Sequence, residues 1–239
     1  MATKIRIQKY IANCGYCARR HAELLIEAKL VSINGRPVKE MGQKIDPEKD
    51  EVSINGDIIV PPKNVTIMLH KPTKFITSTN DTHDRLTVMD LVPKQFYIDA
   101  VFPVGRLDYE TEGLLIMTNN GDLSHQLAHP SFECEKEYFV EAEGKLSDKQ
   151  FNRLCSGTIV VEKSIVKPAQ IHEIEFKNNT TVFNMIIHEG KKRQIRKMVE
   201  AISSKVCYLR RVRMGNMELG DLPKGKYKIL SETDIKNII

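Results

Sequence analysis

The sequence contains no tryptophan and no unbroken stretch of about 18 apolar residues, the length needed for a membrane-spanning helix. We therefore expect no membrane segment. The first residues, MATKIRIQKYIANCG, include neither an apolar core nor a small-residue cleavage site, so we expect no signal peptide. Cysteine is scarce: five residues, an odd and scattered set, are typical of reduced thiols. Together these features predict a cytoplasmic protein.

The chain has enough apolar residues for a core, and its positive charge is concentrated in two segments. Of the 239 residues, 41% are apolar, which suffices for one or two domains. Residues 1–39 contain eight Lys or Arg and two Glu, and residues 191–213 contain nine Lys or Arg and one Glu. Because the overall net charge is +5, the rest of the chain carries −9. This distribution is typical of phosphate binding, although two solvated charged faces would look the same.

The N-terminal region predicts a small unit of two helices and β-hairpins. Apolar residues recur at helical spacing in residues 4–13 and 18–29, and Gly15 between them can end the first helix in a left-handed conformation. The stretches LVSINGRPV and EVSINGDIIV each predict two strands joined by an Asn-Gly turn.

The stretch PPKN at 61–64 predicts a linker, so we expect one domain at residues 1–60 and a second at 61–239. In the second domain β patterns dominate, with strands predicted near 66–70, 75–79, 99–105, 113–118, 136–143, 158–161, 165–175 and 181–187, and more within 206–229. Helices are predicted at 87–92, 121–128, 147–155 with Ser147 as N-cap, and 191–202. Many strands with few scattered helices indicate an α+β fold with a largely antiparallel sheet.

Four basic residues flank the second predicted helix of the N-terminal region. Arg19 and Arg20 lie at its start, where positive charge is unfavourable unless phosphate is bound, and Lys29 and Arg36 lie near its other end. Two helices followed by V-x-I-N-G resemble the S4 RNA-binding domain over roughly residues 4–55. The resemblance implies that this basic face binds structured RNA; a basic helical hairpin without function is the alternative.

Cys14-Gly15-Tyr16-Cys17 is a C-x-x-C motif, for which a redox or metal function must be considered. Redox motifs of this type follow a β-strand at the start of a helix, whereas here an amphipathic helix precedes the motif. A structural zinc site needs a second pair of ligands, and only His21 is near in sequence. We favour packing of the turn between the helices.

The stretch FPVGRLDYETEGLLIMTNNG, residues 102–121, sets Arg106 and Asp108 between two apolar runs, where unpaired charge is costly. Its pattern G-R-L-D, T-x-G-L-L, T-N-x-G resembles the central motif of pseudouridine synthases. The stretches EKEYFVEAEG and HEGKKRQIRKMVEAI extend the resemblance in order and spacing. After an S4-like domain, this order is similar to the S4-bearing ribosomal RNA pseudouridine synthases, nearest the large-subunit branch called synthase B.

This resemblance implies a catalytic domain with a mixed, largely antiparallel sheet that isomerises uridine to pseudouridine without cofactor or metal. Asp108 matches the catalytic aspartate, and Tyr138 would lie against the uracil. Arg196 is the expected charge partner of Asp108, with Arg193 as second choice. The implied substrate is ribosomal RNA, preferably 23S and either free or in an assembly intermediate, and we expect a monomer.

Further RNA contacts are predicted around this site. Arg106 could fill the position that a flipped uridine leaves, or pair with Glu110 or Glu112 instead. Arg193 and Lys197 share a helix face with Arg196, opposite a core-facing side, and the alternating strand YLRRVRMG adds two more candidates for phosphate contacts, Arg211 and Arg213.

Three alternatives remain open. Asp108, Glu110 and Glu112 alternate, and paired carboxylates across a sugar are typical of glycosidases, although Thr111 and Gly113 suggest a turn that breaks the alternation. A non-catalytic RNA-binding or ribosome-assembly protein could keep the same fold. Small-subunit RNA could be the target of the same reaction.

The stretch HKPTKF departs from the family pattern K-P-x-G, because Lys74 stands where glycine is expected. Glycine would allow a positive φ at this position. The substitution puts the local loop shape in doubt, but not the nucleophile.

Overall fold

The computed structural model of the protein describes residues 4–238, and the chain divides into two compact units. The first unit comprises the chain up to Val65 together with Lys94–Val101 and Asn119–Gly121. The Asn119 side chain joins these segments, since its amide accepts the Val65 N–H at 2.8 Å and donates to the carbonyls of Lys63 and Asp99. The sequence-based boundary at residue 60 stays a prediction, and it did not foresee that the two later segments pack in this unit.

The first unit contains short strands and three helices within the described part of the chain. They are β1 (Ile5–Arg6), α1 (Ile7–Asn13), α2 (Arg19–Glu27), β2 (Val31–Ile33), β3 (Arg36–Pro37), β4 (Lys44–Ile45), β5 (Val52–Ile54), β6 (Asp57–Ile58) and α3 (Gln95–Ile98). The strands pair antiparallel in the order β3-β2-β5-β6, and β1 pairs with β4.

Local sequence explains this unit well. Both Asn-Gly pairs adopt the two positive φ angles of a type I′ turn, 50° and 73° at Asn34-Gly35 and 53° and 90° at Asn55-Gly56. Gly15 ends the first helical segment with φ +75°, and a Cβ there would lie 2.8 Å from the Ala100 side chain. The predicted apolar faces of both helices enter one core. The helix–helix–β prediction is confirmed.

The second unit is built on one large mixed sheet with helices and short hairpins around it. Its elements in residues 66–238 are β7 (Thr66–Lys71), β8 (Phe102–Pro103), β9 (Glu112–Thr118), α4 (Gly121–Ala128), β10 (Lys136–Glu143), α5 (Asp148–Cys155), β11 (Val160–Val161), β12 (Ser164–Ile165), β13 (Gln170–Lys177), β14 (Thr180–Ile187), α6 (Gln194–Ala201), β15 (Val206–Met214), β16 (Met217–Glu218), β17 (Tyr227–Ile229) and α7 (Glu232–Lys236). Gly121, the first residue of α4, is assigned to the first unit.

The strand order of the large sheet is β13-β14-β10-β15-β9-β7-β17, with β16 paired to β15 and β8 paired to β9. Neighbouring strands run antiparallel except where β15 meets β9 in parallel. All residues of β7 and β9 are buried, which explains the continuous apolar runs IML and LLIM within them. The predicted α+β fold with a largely antiparallel sheet is confirmed.

The parallel contact between β9 and β15 requires a glycine. Gly113 pairs with Arg211 and has φ +111°, and a Cβ on Gly113 would lie 2.2 Å from the Arg211 carbonyl oxygen. No other residue fits this close approach without backbone movement. The close pairing holds β15, which carries Arg210, Arg211 and Arg213, against β9, which directly follows the Asp108 loop.

Several predicted elements differ from the structure. Residues 75–79 form no strand, because Ile76 makes an isolated bridge to Thr87 and the rest is loop. The strand predicted at 99–105 is reduced to β8, and the one at 165–175 is divided between β12 and β13. The strand predicted at 136–143 and the helix predicted at 121–128 have the predicted bounds, and Ser147 caps α5 as predicted.

No helix formed by residues 4–238 combines the length and apolarity needed to cross a bilayer.

Candidate active site

The segment between β8 and β9 forms a tight loop around Asp108. Gly105 begins it with φ +69°, and the Asp108 carbonyl accepts the Thr111 N–H at 3.0 Å, which closes a turn. Leu107 is buried, Asp108 is half-buried and Arg106 is exposed. The apolar flanks therefore anchor a loop whose charged side chains remain accessible, which explains how charges can occur between two core strands.

Two buried polar side chains, Lys71 and Thr77, bind the backbone of this loop. The ammonium of Lys71, which is fully buried, donates to the carbonyls of Pro72 at 2.9 Å, Asp108 at 3.2 Å and Thr111 at 2.9 Å. Burial lowers the pKa of Lys71 to about 8, although the charges of nearby carboxylates, Asp108 first, oppose the shift.

The Thr77 hydroxyl makes a second attachment to the loop. It donates to the Leu107 carbonyl at 2.8 Å and accepts the Leu107 N–H at 3.2 Å. Because backbone groups of Leu107, Asp108 and Thr111 are bonded in this way, the fold fixes the backbone that carries the carboxylate.

Asp108 opens into a cleft of about 210 Å³, far more than a bound water requires. Tyr138, which β10 carries and which is 8% exposed, lines the same cleft, with apolar walls from Ile187 and Leu209. The structure thus brings together the carboxylate and the phenol that the sequence predicted to act together. A planar ring can fit between such walls while its edge meets the carboxylate.

Arg196 lies behind this cleft and does not line it. The side chain is 8% exposed, and its Nη2 donates to the Glu110 carbonyl at 2.9 Å. Its Nε has no hydrogen-bond partner in residues 4–238. Burial lowers the pKa of Arg196, Arg193 lowers it further, and the negative charge of Asp108 acts in the opposite direction. Arg196 therefore influences the Asp108 loop by charge and by a main-chain bond.

The predicted basic face of the helix at 191–202 is wrong in one respect. The helix begins only at Gln194, and Arg193 precedes it with a left-handed φ of 53°. Arg196 falls on the buried side with Ile195, because its guanidinium finds carbonyl acceptors there. Arg193 instead lines the cleft together with Lys191 and Lys192, so the basic rim is a loop.

Gln194 organises this loop. Its side-chain oxygen accepts the Lys191 N–H at 2.9 Å, and its amide donates to the Glu189 carboxylate at 3.0 Å. Lys197, the other predicted contact on α6, is half-buried and pairs with Glu162 at 3.3 Å.

The predicted phosphate contact of Arg211 does not fit the structure. Arg211 is 2% exposed and donates through Nε to the Leu114 carbonyl at 2.7 Å, because β15 is an interior strand of the sheet. Arg213 is half-buried, and its guanidinium binds Glu137 at 2.7 Å and Glu135 at 3.0 Å. Arg211 and Arg213, which share one side of β15, therefore bind groups within the protein.

The basic residues that were predicted to bind RNA in the first unit are exposed to solvent. Arg19 and Arg20 at the start of α2 are exposed, as are Lys29 and Arg36. No acidic residue lies in the first turn of α2, so the helix dipole is not offset there. An anion bound at this end would supply the missing negative charge.

The carboxylates that suggested a glycosidase do not converge. Residues 109 and 110 form a turn, as Thr111 and Gly113 indicated, and the Glu110 side chain is exposed. Glu112 is 3% exposed, and its carboxylate already has two partners. The Tyr208 hydroxyl donates to it, and the Lys224 ammonium pairs with it at 2.9 Å. Among residues 4–238, the lining of the cleft includes no carboxylate besides that of Asp108.

The C-x-x-C motif shows no activated thiol. Cys14 and Cys17 are both free, and burial raises the pKa of Cys14 to about 12. Redox cysteines need the opposite shift. Residues 4–238 contain no group of three or more His, Cys, Asp or Glu side chains arranged to hold a metal ion.

Sequence reasoning missed Lys71 and Thr77 as parts of the site. Lys71 carried a usable signal, since a lysine at the end of the buried strand TIMLHK, directly before proline, is unusual in a core. Lys74 does adopt the positive φ that the family glycine would provide, 67°, and its N–H donates to the Tyr109 carbonyl at 2.8 Å. The loop therefore tolerates lysine.

Comparison with known proteins extends these observations. The family model described as RNA pseudouridylate synthase matches residues 65–201, and the S4 domain model matches residues 5–59. A solved crystal structure of a pseudouridylate synthase superposes with a TM-score of 0.69 at 28% identity, covering 98% of this chain and 100% of that chain.

Curated relatives are similar over nearly the whole length. An uncharacterized RNA pseudouridine synthase of Aquifex aeolicus is 35% identical, over 98% of this chain and 94% of the relative. The ribosomal large subunit pseudouridine synthase B of Bacillus subtilis is 34% identical, over 98% and 95%. The dual-specificity RNA pseudouridine synthase RluF of Escherichia coli K12 is 31% identical, over 98% and 78%.

Proposed function

Because the chain belongs to the RNA pseudouridine synthase family and carries an S4 domain, we propose that it isomerises a uridine of ribosomal RNA with Asp108 as nucleophile. In this reaction the bond from ribose C1′ to N1 of uracil breaks and a bond from C1′ to C5 forms. The hydrogen on C5 leaves as a proton, and N1 gains one. The exchange needs no electron donor, so one carboxylate and a proton carrier suffice.

The observation that carries the proposal is the cleft that Asp108 shares with Tyr138. The Asp108 side chain is half-buried on a loop whose backbone is held by Lys71 and Thr77, so its carboxylate can attack ribose C1′ or uracil C6 from a well-defined position. Tyr138 offers its ring to the uracil face and its hydroxyl to the proton on C5.

Arg196 acts in this proposal as a positioning residue. It holds the Glu110 carbonyl, two residues from the nucleophile, and its positive charge favours the ionised form of a carboxylate nearby. Arg106, exposed at the rim of the cleft, occupies the stack position from which the uridine has flipped.

The proposed substrate is 23S ribosomal RNA, which the large-subunit name of the Bacillus subtilis relative supports. The domain at residues 1–60 binds structured RNA through Arg19, Arg20, Lys29 and Arg36, while the domain at 61–239 carries out the chemistry. We further propose that the protein acts in the cytoplasm as a monomer, on free RNA or on an assembly intermediate.

Tritium release from [5-³H]uridine-labelled ribosomal RNA transcripts tests the reaction directly. The native protein should release tritium from 23S transcript, and Asp108→Asn should release none while binding the RNA as tightly as the native protein. Glu110→Gln is the matched control, since it neutralises an exposed carboxylate in the same turn and should leave release near native.

The outcomes separate the candidates. Release by Asp108→Asn would overturn the nucleophile, and RNA binding without release by the native protein would favour a binding or assembly protein. Preferential release from 16S transcript would move the target to the small subunit. Mapping pseudouridine in ribosomal RNA from cells with and without the gene then identifies the uridine.

A further inference from the structure

A second cavity lies on the other side of the Asp108 loop. It has a volume of about 360 Å³, and its lining includes Ile76, Thr77, Arg85, Tyr109 and Lys192. Arg106, Leu107, Asp108 and Lys192 line both cavities, so the two are neighbouring compartments along one surface within the second unit. The mechanism proposed for the first cavity uses Arg106 and Asp108 but assigns no role to Ile76, Arg85, Tyr109 or Lys192, which also line the second.

The walls of this second cavity are fixed by main-chain bonds. The Ile76 N–H donates to the Leu86 carbonyl at 2.9 Å, and the Ile76 carbonyl accepts the Val88 N–H at 2.9 Å. Thr77 joins the same segment to Leu107, and Lys74 joins it to the Tyr109 carbonyl. These bonds hold the backbone of the cavity walls in a defined arrangement.

One carboxylate holds Arg85 in place at this cavity. Asp81 accepts Nε of Arg85 at 3.1 Å and Nη2 at 2.7 Å, and it also accepts the backbone N–H groups of His83 and Arg85. The Asp81 side chain is only 8% exposed, whereas that of Arg85 is 56% exposed. Asp81 thus orients the guanidinium and leaves Nη1 free of this carboxylate, an arrangement suited to an anion.

Tyr109 presents an aromatic face beside these cations. It is 46% exposed although its backbone is fixed, and it lines the same cavity as Arg85. The lining contains Arg85, Arg106 and Lys192 and one carboxylate, Asp108, so positive charge remains in excess even though Asp81 pairs with Arg85. Cations beside an exposed aromatic ring are the combination that binds a nucleotide of single-stranded RNA.

We propose that this second cavity binds the nucleotide adjoining the target uridine, with Tyr109 stacked on its base and Arg85 on its phosphate. The proposal rests on the proposed function, because it takes the first cavity as the site of the flipped uridine. A nucleotide held here would place its neighbour over Asp108, so the cavity contributes to the choice of uridine.

Steady-state tritium release from 23S transcript, measured at several salt concentrations, tests this subsite. Tyr109→Ala should raise KM about tenfold with kcat near native, since one base stack is lost. Arg85→Ala should raise KM and reduce the salt dependence of kcat/KM by roughly one unit of slope per lost phosphate contact. Tyr109→Phe, which keeps the ring, should restore most of the affinity lost in Tyr109→Ala.

Matched controls use the same residue types outside the cavity. Tyr97→Ala removes a tyrosine of nearly equal exposure, 47%, and Arg153→Ala removes an exposed arginine of α5. Both should keep the native KM. If Arg85→Ala and Tyr109→Ala also keep it, or if the controls raise it equally, the subsite is refuted.

A second readout separates this proposal from the proposed function. Binding of a short fluorescent oligouridylate is measured in Asp108→Asn, with and without Tyr109→Ala. If the native protein releases no tritium, the isomerase proposal fails, and the oligouridylate still tests the cavity: weaker binding with Tyr109→Ala supports it, and equal binding refutes it. Binding of an acidic peptide in place of the oligouridylate would also refute it.

Discussion

The buried ammonium of Lys71 donates a hydrogen bond of 3.2 Å to the main-chain carbonyl of Asp108. It makes two further bonds to the carbonyls of Pro72 and Thr111, so one side chain satisfies three acceptors around the loop. Asp108, the proposed nucleophile, is thus held through its own backbone carbonyl. This relationship makes Lys71 a test of how far loop position controls catalysis.

Lys71→Met should lower kcat by up to about 100-fold with little change in KM, because the Asp108 loop loses its support while the cleft surface stays intact. The carbonyls of Pro72 and Thr111 would lose the Lys71 bond and that of Asp108 would keep only the Thr111 N–H, which should also lower the free energy of unfolding by about 2 to 5 kcal/mol. Steady-state tritium release and urea unfolding measure the two effects. Lys136→Met, which removes a half-buried lysine bonded to the Cys134 carbonyl, is the control and should keep kcat.

Lys71 also predicts a pH dependence of stability. Its pKa is about 8 in the folded state, below the value of about 10.4 expected in the unfolded chain, so the unfolded state binds more protons between these values. The free energy of unfolding contributed by Lys71 should therefore rise with pH across this window and be lost as pH falls through about 8. The native protein should show this rise relative to Lys71→Met; identical pH profiles would contradict the shift.

Gly113→Ala should destabilise the second unit by about 2 to 5 kcal/mol, through both overpacking and a strained backbone. Its Cβ would meet the Arg211 backbone where β15 joins β9. Gly35→Ala is the matched control: Gly35 has φ +73° but nothing within 4 Å, so only the conformational cost of about 1 kcal/mol remains. Equal losses in urea unfolding would show that the close strand approach is unimportant.

Periodicity and turn chemistry predicted the parts of the fold that local sequence determines. The Asn-Gly turns, the β10 strand and the Ser147 cap depend on residues next to each other in the chain, and all are as predicted. The candidate site was implied by the resemblance of the motifs around Asp108 and Tyr138 to those of pseudouridine synthases, and one cleft brings these two residues together.

The errors concern residues whose position depends on distant partners. Arg196 was expected on a helix face that meets Asp108 or the RNA, and Arg211 was expected to contact phosphate. Both are buried instead, because carbonyls of Glu110 and Leu114, far away in sequence, accept their guanidinium groups. The strand predicted at 75–79 failed because Thr77 bonds to Leu107 instead of to a neighbouring strand. Sequence patterns do not reveal such partners, since only the folded chain brings them into contact.

The thiol of Cys14 should react slowly. Burial raises its pKa to about 12, so little thiolate is present at mildly alkaline pH, and the thiolate is the reactive species. Iodoacetamide followed by mass spectrometry should modify the exposed Cys207 first and Cys14 only after unfolding. Early modification of Cys14, or a Cys14–Cys17 disulfide in the native protein, would reopen the redox interpretation.

Arg19→Ala combined with Arg20→Ala should weaken RNA binding without lowering kcat, because both side chains are exposed at the start of α2, in the unit that does not contain the cleft. Each lost phosphate contact should reduce the slope of log affinity against log salt by roughly one unit. Lys149→Ala with Arg153→Ala is the matched control, since it removes the same charge from exposed positions of α5. Filter binding of 23S transcript at increasing salt measures both double variants. If the two lose affinity equally, net charge alone explains binding; a loss confined to the α2 pair assigns the contact to the S4 domain.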